Sequence, residues 1–350
     1  MARVRLLVPV LIALTGCATV TKRPESPLTC WPVDPLVKVF RDAAPASGGE
    51  ALADVARGEH ASFQVVVRAE DAITALTAKA GPLKRGRGGE TLAASSVRFV
   101  GYVPVDRPTQ TPSKDQLRTP PADYPDPLLE DEALDVAARQ AQPVWVTVAV
   151  PVDAKPGVYR GTLTLEGRVE GVAAKATVPL ALRVYDVAVE KTRLWVTEWY
   201  GMQWQHMAIN PEPESEEYYA LLRRYARNMA EHRHNVALIS PIGLAAYEAN
   251  ADGSLKIDFA KFDRWVTIFQ EEGVIGRIEG GHIGGRVGGW ESDFAVQTFR
   301  VQDGKVVGES VAPDTPEADA FYARFFPALV AHLKDKGWLE VYMQHLADEP

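Results

Sequence analysis

The sequence predicts a multidomain protein: an N-terminal antiparallel β-sandwich, then a (β/α) TIM-type barrel of which only about the first half is present. Three observations predict it. From about Trp31 to Asp186 the chain is a series of short β-branched and aromatic runs separated by turn residues, with no helical period between them. After Asp186 strand and helix patterns alternate four times, the signature of a parallel sheet with covering helices. The alternation then stops on a strand at Pro350, and four units would leave a barrel with an unpaired edge. The expectation is therefore a natural product that continues beyond Pro350.

The N-terminus comes first in order. Arg3 and Arg5 precede an apolar run from Leu6 to Leu14, too short to be a settled membrane span. The run ends in Leu14-Thr15-Gly16-Cys17, which resembles a bacterial lipobox. That resemblance implies a signal peptide over 1–16, lipidation of Cys17 and a lipidated tether over 17–30, attaching the protein to a membrane. Ala18 after the cysteine, by the same resemblance, directs it to the outer membrane, cell surface or periplasm of the exporting cell. The other reading is an ordinary secretory signal in which Cys17 is incidental. Lipidated Cys17 would leave Cys30 without a partner, whereas a Cys17–Cys30 disulfide requires that lipidation not occur.

Bulk composition bounds the rest. The 350 residues are 46% hydrophobic and 24% charged, enough for two cores and not a disordered composition. A net charge of -8 argues against nucleic acid, which needs a clustered positive surface. The basic stretch Lys84-Arg85-Gly86-Arg87 reads as a solvated hairpin tip.

Residues 31–188 form the expected sandwich. Its strand signals are Phe63–Val67, Val97–Val103, Val144–Val150, Tyr159–Leu165 and Val178–Tyr185, with a turn at Asp153-Ala154-Lys155-Pro156-Gly157. The stretch from Asp106 to Gln142 is proline-rich and acidic and carries no clear strand, so it reads as a long loop.

Residues 189–350 form the expected half barrel. Strands are predicted at Leu194–Trp199, Asn235–Ser240, Gly276–His282 and Leu339–Leu346, and helices at Glu216–His232, Phe259–Glu272 and Glu317–Lys336. Phe262, Trp265 and Phe269, and Phe321 with Phe325, recur at helical spacing, and Pro327 should kink or restart its helix. Glycines 280, 281, 284, 285, 288 and 289 include no Walker lysine and open no helix, so they read as an extended, mobile loop and weaken a dinucleotide fold.

Barrel enzymes place reacting groups at the carboxyl ends of their strands. There the chain carries Asp348 and Glu349, adjacent carboxylates of the kind glycoside hydrolysis uses for proton donation and charge stabilisation. An acidic dipeptide before a proline is also an ordinary solvated loop pair. Other candidates at strand ends are Glu198, Trp199 and Tyr200 after the first strand, His206 in the following loop, His282, Trp290 and His345. Packing in the core is the competing reading for Trp195 and Trp199. His232, Arg233 and His234 precede a strand and read as structural, and two histidines without a carboxylate or cysteine make a poor metal site.

Pro-Val-Trp-Val-Thr-Val from Pro143, Ala-Lys-Pro-Gly-Val-Tyr-Arg-Gly-Thr-Leu from Ala154, Glu-His-Arg-His-Asn from Glu231 and the ending Asp348-Glu349-Pro350 together resemble glycoside hydrolase family 123. The resemblance covers about Trp31 to the end. It implies a retaining β-N-acetylgalactosaminidase whose substrate is a glycan or glycolipid. Glu349 would be the acid/base, and Asp348 would orient the substrate's own 2-acetamido group as nucleophile, so no cofactor or metal is needed. Glu198, Trp199, Tyr200, His206, His282, Trp290 and His345 would bind substrate. Two alternatives stand beside it: a glycan-binding surface lipoprotein without activity, and a hydrolase for a different sugar.

Overall fold

β-Branched and aromatic side chains at alternating positions drive the first half of the chain into strands. The computed structural model describes residues 26–189, 193–199 and 211–347, which fall into two compact units divided between Glu190 and Lys191.

The first unit opens with β1 (Thr29–Val33), β2 (Ala51–Arg57), β3 (His60–Arg68), β4 (Ile73–Ala80), β5 (Leu83–Arg85) and β6 (Thr91–Leu92). It continues with β7 (Ser96–Val105), β8 (Ala122–Leu128), β9 (Leu134–Val136), β10 (Gln142–Ala149), β11 (Gly157–Val169) and β12 (Val172–Ala188). One sheet has the order β1-β3-β10-β7-β8 and the other β2-β12-β11-β4-β9, with β5 and β6 as a hairpin beside β11. Pairing is antiparallel except between β12 and β2. The Lys84–Arg87 stretch lies at the β5–β6 hairpin, as its glycines predict.

Inward residues of both sheets form one buried cluster, including Phe63, Val65 and Val67 of β3, Val144, Val146 and Val148 of β10, and Leu163, Leu180 and Leu182. The run Phe63–Val67 is continuous rather than alternating because β3 is covered on both faces. Val66 packs on the other side with Trp31, Val39 and Ala141. On that side Gln64 is also buried, and its amide donates to the carbonyls of Asp34 and Val37, each at 3.0 Å. Cys30, half-buried in β1, is a free thiol, and burial pushes its pKa up to about 12.

The region 106–142 departs from the expected loop: it contains β8 and β9. β8 runs Ala-Asp-Tyr-Pro-Asp-Pro-Leu, a composition that argues against a central strand. It is tolerated because β8 is the edge of its sheet, paired only with β7 and through a register shift between Val100 and Tyr102.

The second unit contains α1 (Glu216–Glu231), β13 (Val236–Leu238), α2 (Pro241–Leu244), β14 (Ala246–Ala249), β15 (Leu255–Asp258) and α3 (Ala260–Glu271). There follow β16 (Arg277–His282), β17 (Gly284–Arg286), β18 (Phe294–Gln302), β19 (Lys305–Val311), α4 (Pro316–Asp335) and β20 (Tyr342–His345). The strands β13, β16 and β20 form a parallel sheet in that order, with β16 in the middle. Their side chains Ala237 and Ile278 join Leu222 of α1, Phe262 and Phe269 of α3, and Phe325 and Leu329 of α4 in one core.

The three predicted helices, α1, α3 and α4, begin within one residue of their expected starts, whereas α2 was not predicted. The Ser215 hydroxyl accepts from the Tyr218 N–H, and Glu216 and Glu217 complement the dipole of α1. Thr315 caps α4, with Pro316 in its first turn. α4 runs through Pro327 without a break, so the helix does not restart there. Phe321, Phe325, Leu329 and Leu333 are buried along one face on either side of it, and that packing outweighs the roughly 3 kcal/mol penalty of an interior proline.

Three further expectations are corrected. Residues 193–199 form no strand; instead the Val196 carbonyl accepts from the Asn235 and Val236 N–H groups, and the Val196 N–H donates to the Asn235 side chain at 2.8 Å. The fourth predicted strand is shorter, because Leu339–Val341 is a 3-10 turn. The glycine-rich region after His282 is no loose loop: β17, β18 and β19 form an antiparallel sheet, closed by a tight turn at Asp303-Gly304, both at positive φ.

Candidate active site

The middle strand of a parallel sheet is normally apolar, since both of its faces are covered. β16 instead places a carboxylate there. Glu279 is 4% exposed and pairs in register with Leu238 of β13 and Met343 of β20. Its Oε2 accepts from the Thr197 hydroxyl at 2.8 Å, and its Oε1 accepts from the Trp199 indole N–H at 3.0 Å. His345 brings Nδ1 to 3.3 Å from the same Oε1.

These partners carry the site outward. Thr197 and Trp199 turn to Glu279, while Glu198 between them turns away, with an oxygen 3.7 Å from His234 Nε2. The rings of Trp199 and His345 lie 5.3 Å apart. His282, at the carboxyl end of β16, packs edge-on against both, with centroids at 5.0 Å from Trp199 and 4.1 Å from His345. Trp199 is 51% exposed, so core packing is not its role, and Trp195 is also exposed.

Close backbone approach holds the strand ends together. A Cβ at Gly280 would lie 2.1 Å from the Tyr342 hydroxyl oxygen and 2.8 Å from Gln344 Oε1. Tyr342 donates to Gln344, whose amide donates to the Gly281 carbonyl at 2.6 Å. Burial pushes the Tyr342 phenol pKa upward. Beyond β20 the Leu346 carbonyl accepts from the Ile283 and Gly284 N–H groups, tying its exit to the start of β17.

The structure thus joins Trp199, His282 and His345 and leaves Glu198 apart from them. Trp290 is 68% exposed in the turn between β17 and β18, and the Arg286 guanidinium is 5.6 Å from its ring centroid. Asp348, Glu349, Tyr200, His206 and Cys17 lie outside the described residues. Glu279 escaped sequence reasoning, although a lone glutamate between Ile278 and Gly280 in a buried strand was a usable signal. Among the described residues, no group of three or more His, Cys, Asp or Glu side chains is placed to hold a metal ion, and no helix is long and apolar enough to cross a membrane. A cleft of about 330 Å³ between β18 and α4, lined by Phe299, Arg300, Phe321 and Arg324, holds none of the predicted site residues.

Fold and site together define a protein with a β-rich first unit and an α/β second unit, whose polar and aromatic cluster sits at the carboxyl ends of parallel strands. Two family models match the chain: the glycoside hydrolase 123 N-terminal domain over residues 49–167, and the glycoside hydrolase 123 catalytic domain over residues 204–350. The chain belongs to glycoside hydrolase family 123.

Among solved structures it is similar to a family 123 glycoside hydrolase from Clostridium perfringens, described in a study of glycolipid glycan hydrolysis. The TM-score is 0.70 at 13% identity, over 91% of this chain and 57% of that one, and the likeness bears on the fold alone. The chain therefore spans little more than half the length of that relative. A protein of unknown function from Porphyromonas gingivalis matches with a TM-score of 0.23 at 14% identity, over 45% of this chain and 47% of that one. The CooA pilin subunit of enterotoxigenic Escherichia coli matches with a TM-score of 0.24 at 11% identity, over 45% of this chain and 99% of that one. No curated protein matches the chain.

Proposed function

We propose that this chain acts as a retaining exo-β-N-acetylgalactosaminidase on glycans, among them glycolipid headgroups. The observation that carries the reading is the Glu279-anchored group of Trp199, His282 and His345 at the carboxyl ends of β16 and β20, with Asp348-Glu349 following His345 after only two residues. In this reading the first unit is a β-sandwich and the parallel sheet is the opening half of a (β/α) barrel. The similar Clostridium perfringens enzyme, studied for glycolipid glycan hydrolysis, supports the glycolipid substrate class.

The chemistry needs two carboxyl groups with different tasks. Glu349, protonated, gives its proton to the glycosidic oxygen as the bond from that oxygen to the anomeric carbon breaks. The acetamido oxygen of the same sugar attacks the anomeric carbon, forming an oxazolinium-like intermediate, while Asp348 holds the acetamido N–H and balances its developing positive charge. Glu349, now a carboxylate, takes a proton from water. The water oxygen attacks the anomeric carbon from the face the leaving group vacated, and the acetamido group is restored. Two inversions give net retention.

Trp199 offers an indole face to the sugar, and His282 and His345 offer polar ring atoms to its hydroxyls. Export and anchoring through lipidated Cys17 would hold the enzyme at an outer membrane or cell surface, where glycolipid headgroups are presented.

A chromogenic β-N-acetylgalactosaminide tests the activity. Release of the chromophore that falls about 10²–10⁴-fold in Glu349→Gln supports it. A thiazoline analogue of the intermediate should inhibit competitively, and turnover unaffected by the Gln substitution would refute the assignment. Lipid labelling of the exported protein, lost in Cys17→Ser, tests the anchor.

A further inference from the structure

A buried carboxylate is stable only when its lone pairs are met, and the groups that meet them are held in turn. Glu279 is such a carboxylate, and it does not open to solvent. Two of its partners do reach outward: Trp199 is half exposed, and His345 packs on the exposed His282 ring. One oxygen, Oε1, grips both Trp199 and His345, while Oε2 is fixed by Thr197 from the same segment as Trp199. The carboxylate thus couples residues 197–199 to the end of β20.

We propose that Glu279 is a positioning residue for sugar recognition: it holds His345 as the Nδ1–H tautomer, so that Nε2 presents an acceptor to a sugar hydroxyl, and it fixes the Trp199 indole as the adjoining wall. The inference rests on the glycosidase reading for the identity of the ligand, a terminal N-acetylhexosamine. The chemistry is that of any oriented imidazole. The nitrogen that donates to a carboxylate leaves the other nitrogen as acceptor, and the carboxylate fixes the ring plane as well as the tautomer. Sugar hydroxyls supply the donor. Without Glu279, Nδ1 has no carboxylate to favour it, the indole N–H loses its acceptor, and both rings are released together.

Nitrogen-15 spectra of the full chain, labelled at histidine and recorded at alkaline pH where imidazole is neutral, read the tautomer directly, with His345→Gln assigning the signal. The wild-type protein is expected to carry its His345 proton on Nδ1, and added N-acetylgalactosamine is expected to shift the His345 and His282 signals. In Glu279→Leu the tautomer preference should vanish, and the apparent Kd for the sugar should rise about tenfold to a hundredfold, the size expected for a displaced site group. Glu279→Gln keeps an acceptor oxygen for Trp199 and His345 while its amide faces the Thr197 hydroxyl, so it should restore both readouts.

A wild-type His345 protonated on Nε2 overturns the proposal, as does a Leu variant with unchanged sugar response. If the Leu variant does not fold, the wild-type and Gln spectra still decide. Neither readout needs turnover: a chain that meets them but cleaves no β-N-acetylgalactosaminide removes the proposed activity and leaves this inference standing. Conversely, hydrolysis by Glu279→Leu at the wild-type KM removes this inference alone.

Discussion

The Thr197 hydroxyl donates to the Glu279 carboxylate across 2.8 Å, joining a segment without regular secondary structure to the central strand of the parallel sheet. The bond satisfies Oε2 of a carboxylate that is 4% exposed, where solvent cannot replace the donor. Thr197→Val keeps the shape of the side chain and removes that donor. It should destabilise the second unit by about 1–3 kcal/mol, the cost of an unmet buried polar atom, as read from urea denaturation midpoints. An unchanged midpoint would mean that water reaches the carboxylate.

Gly280 is required by space. Its missing Cβ would lie 2.1 Å from the Tyr342 hydroxyl oxygen, closer than any real contact. Gly280→Ala must push Tyr342 and Gln344 aside, at a cost of about 1–3 kcal/mol typical of overpacking. The double variant Gly280→Ala with Tyr342→Phe should recover part of that loss in thermal melts, because the closest clashing atom is gone. Equal melting of single and double variants would place the clash elsewhere.

Helices α1 and α3 are linked by charge. Glu272 receives Arg223 at 2.9 Å and Arg227 at 3.0 Å. Hydrogen bonds from Arg227 and then Arg223 hold its carboxyl below the ordinary 4.5. A folded-state pKa below the unfolded value means that protons bind the unfolded chain more readily. The contribution is therefore complete above about pH 4.5 and is lost as pH falls through the lowered folded value. Because both arginines are partly exposed, the effect of Glu272→Gln should stay below about 1 kcal/mol at neutral pH and disappear in acid. Denaturation curves of the two proteins at both pH values check this, and a difference that persists in acid would contradict the ion-pair account.

The parts legible in the sequence were those set by repetition. Phe262, Trp265 and Phe269 mark α3 because a helix returns the same face every three to four residues, and these side chains are buried as that spacing requires. The alternating valines of β10 are legible for the same reason. Features fixed by position within a sheet were not. β8 carries two prolines that only an edge strand accepts, and edge position follows from the order of the sheet rather than from local residues. At Leu194–Trp199 the β-branched and aromatic pattern is present, yet the Asn235 side chain takes the place of a ladder partner. The Asp303-Gly304 turn was a readable hairpin signal obscured by the glycines before it.

Within the site the sequence led to Trp199, His282 and His345 because strand ends are where barrel chemistry gathers. It did not lead to Glu279, which sits one layer below them and acts only through contacts that pairing of β16 with β20 creates.

In the proposed reaction the substrate's own acetamido group serves as nucleophile, assisted by Asp348 and Glu349. Proton NMR of the sugar first released from an aryl β-N-acetylgalactosaminide tests it most directly. β-N-Acetylgalactosamine is expected as the initial product, with slow later appearance of the α anomer. Initial release of the α anomer, or equal turnover of the substrate bearing a 2-hydroxyl in place of the acetamido group, would contradict it.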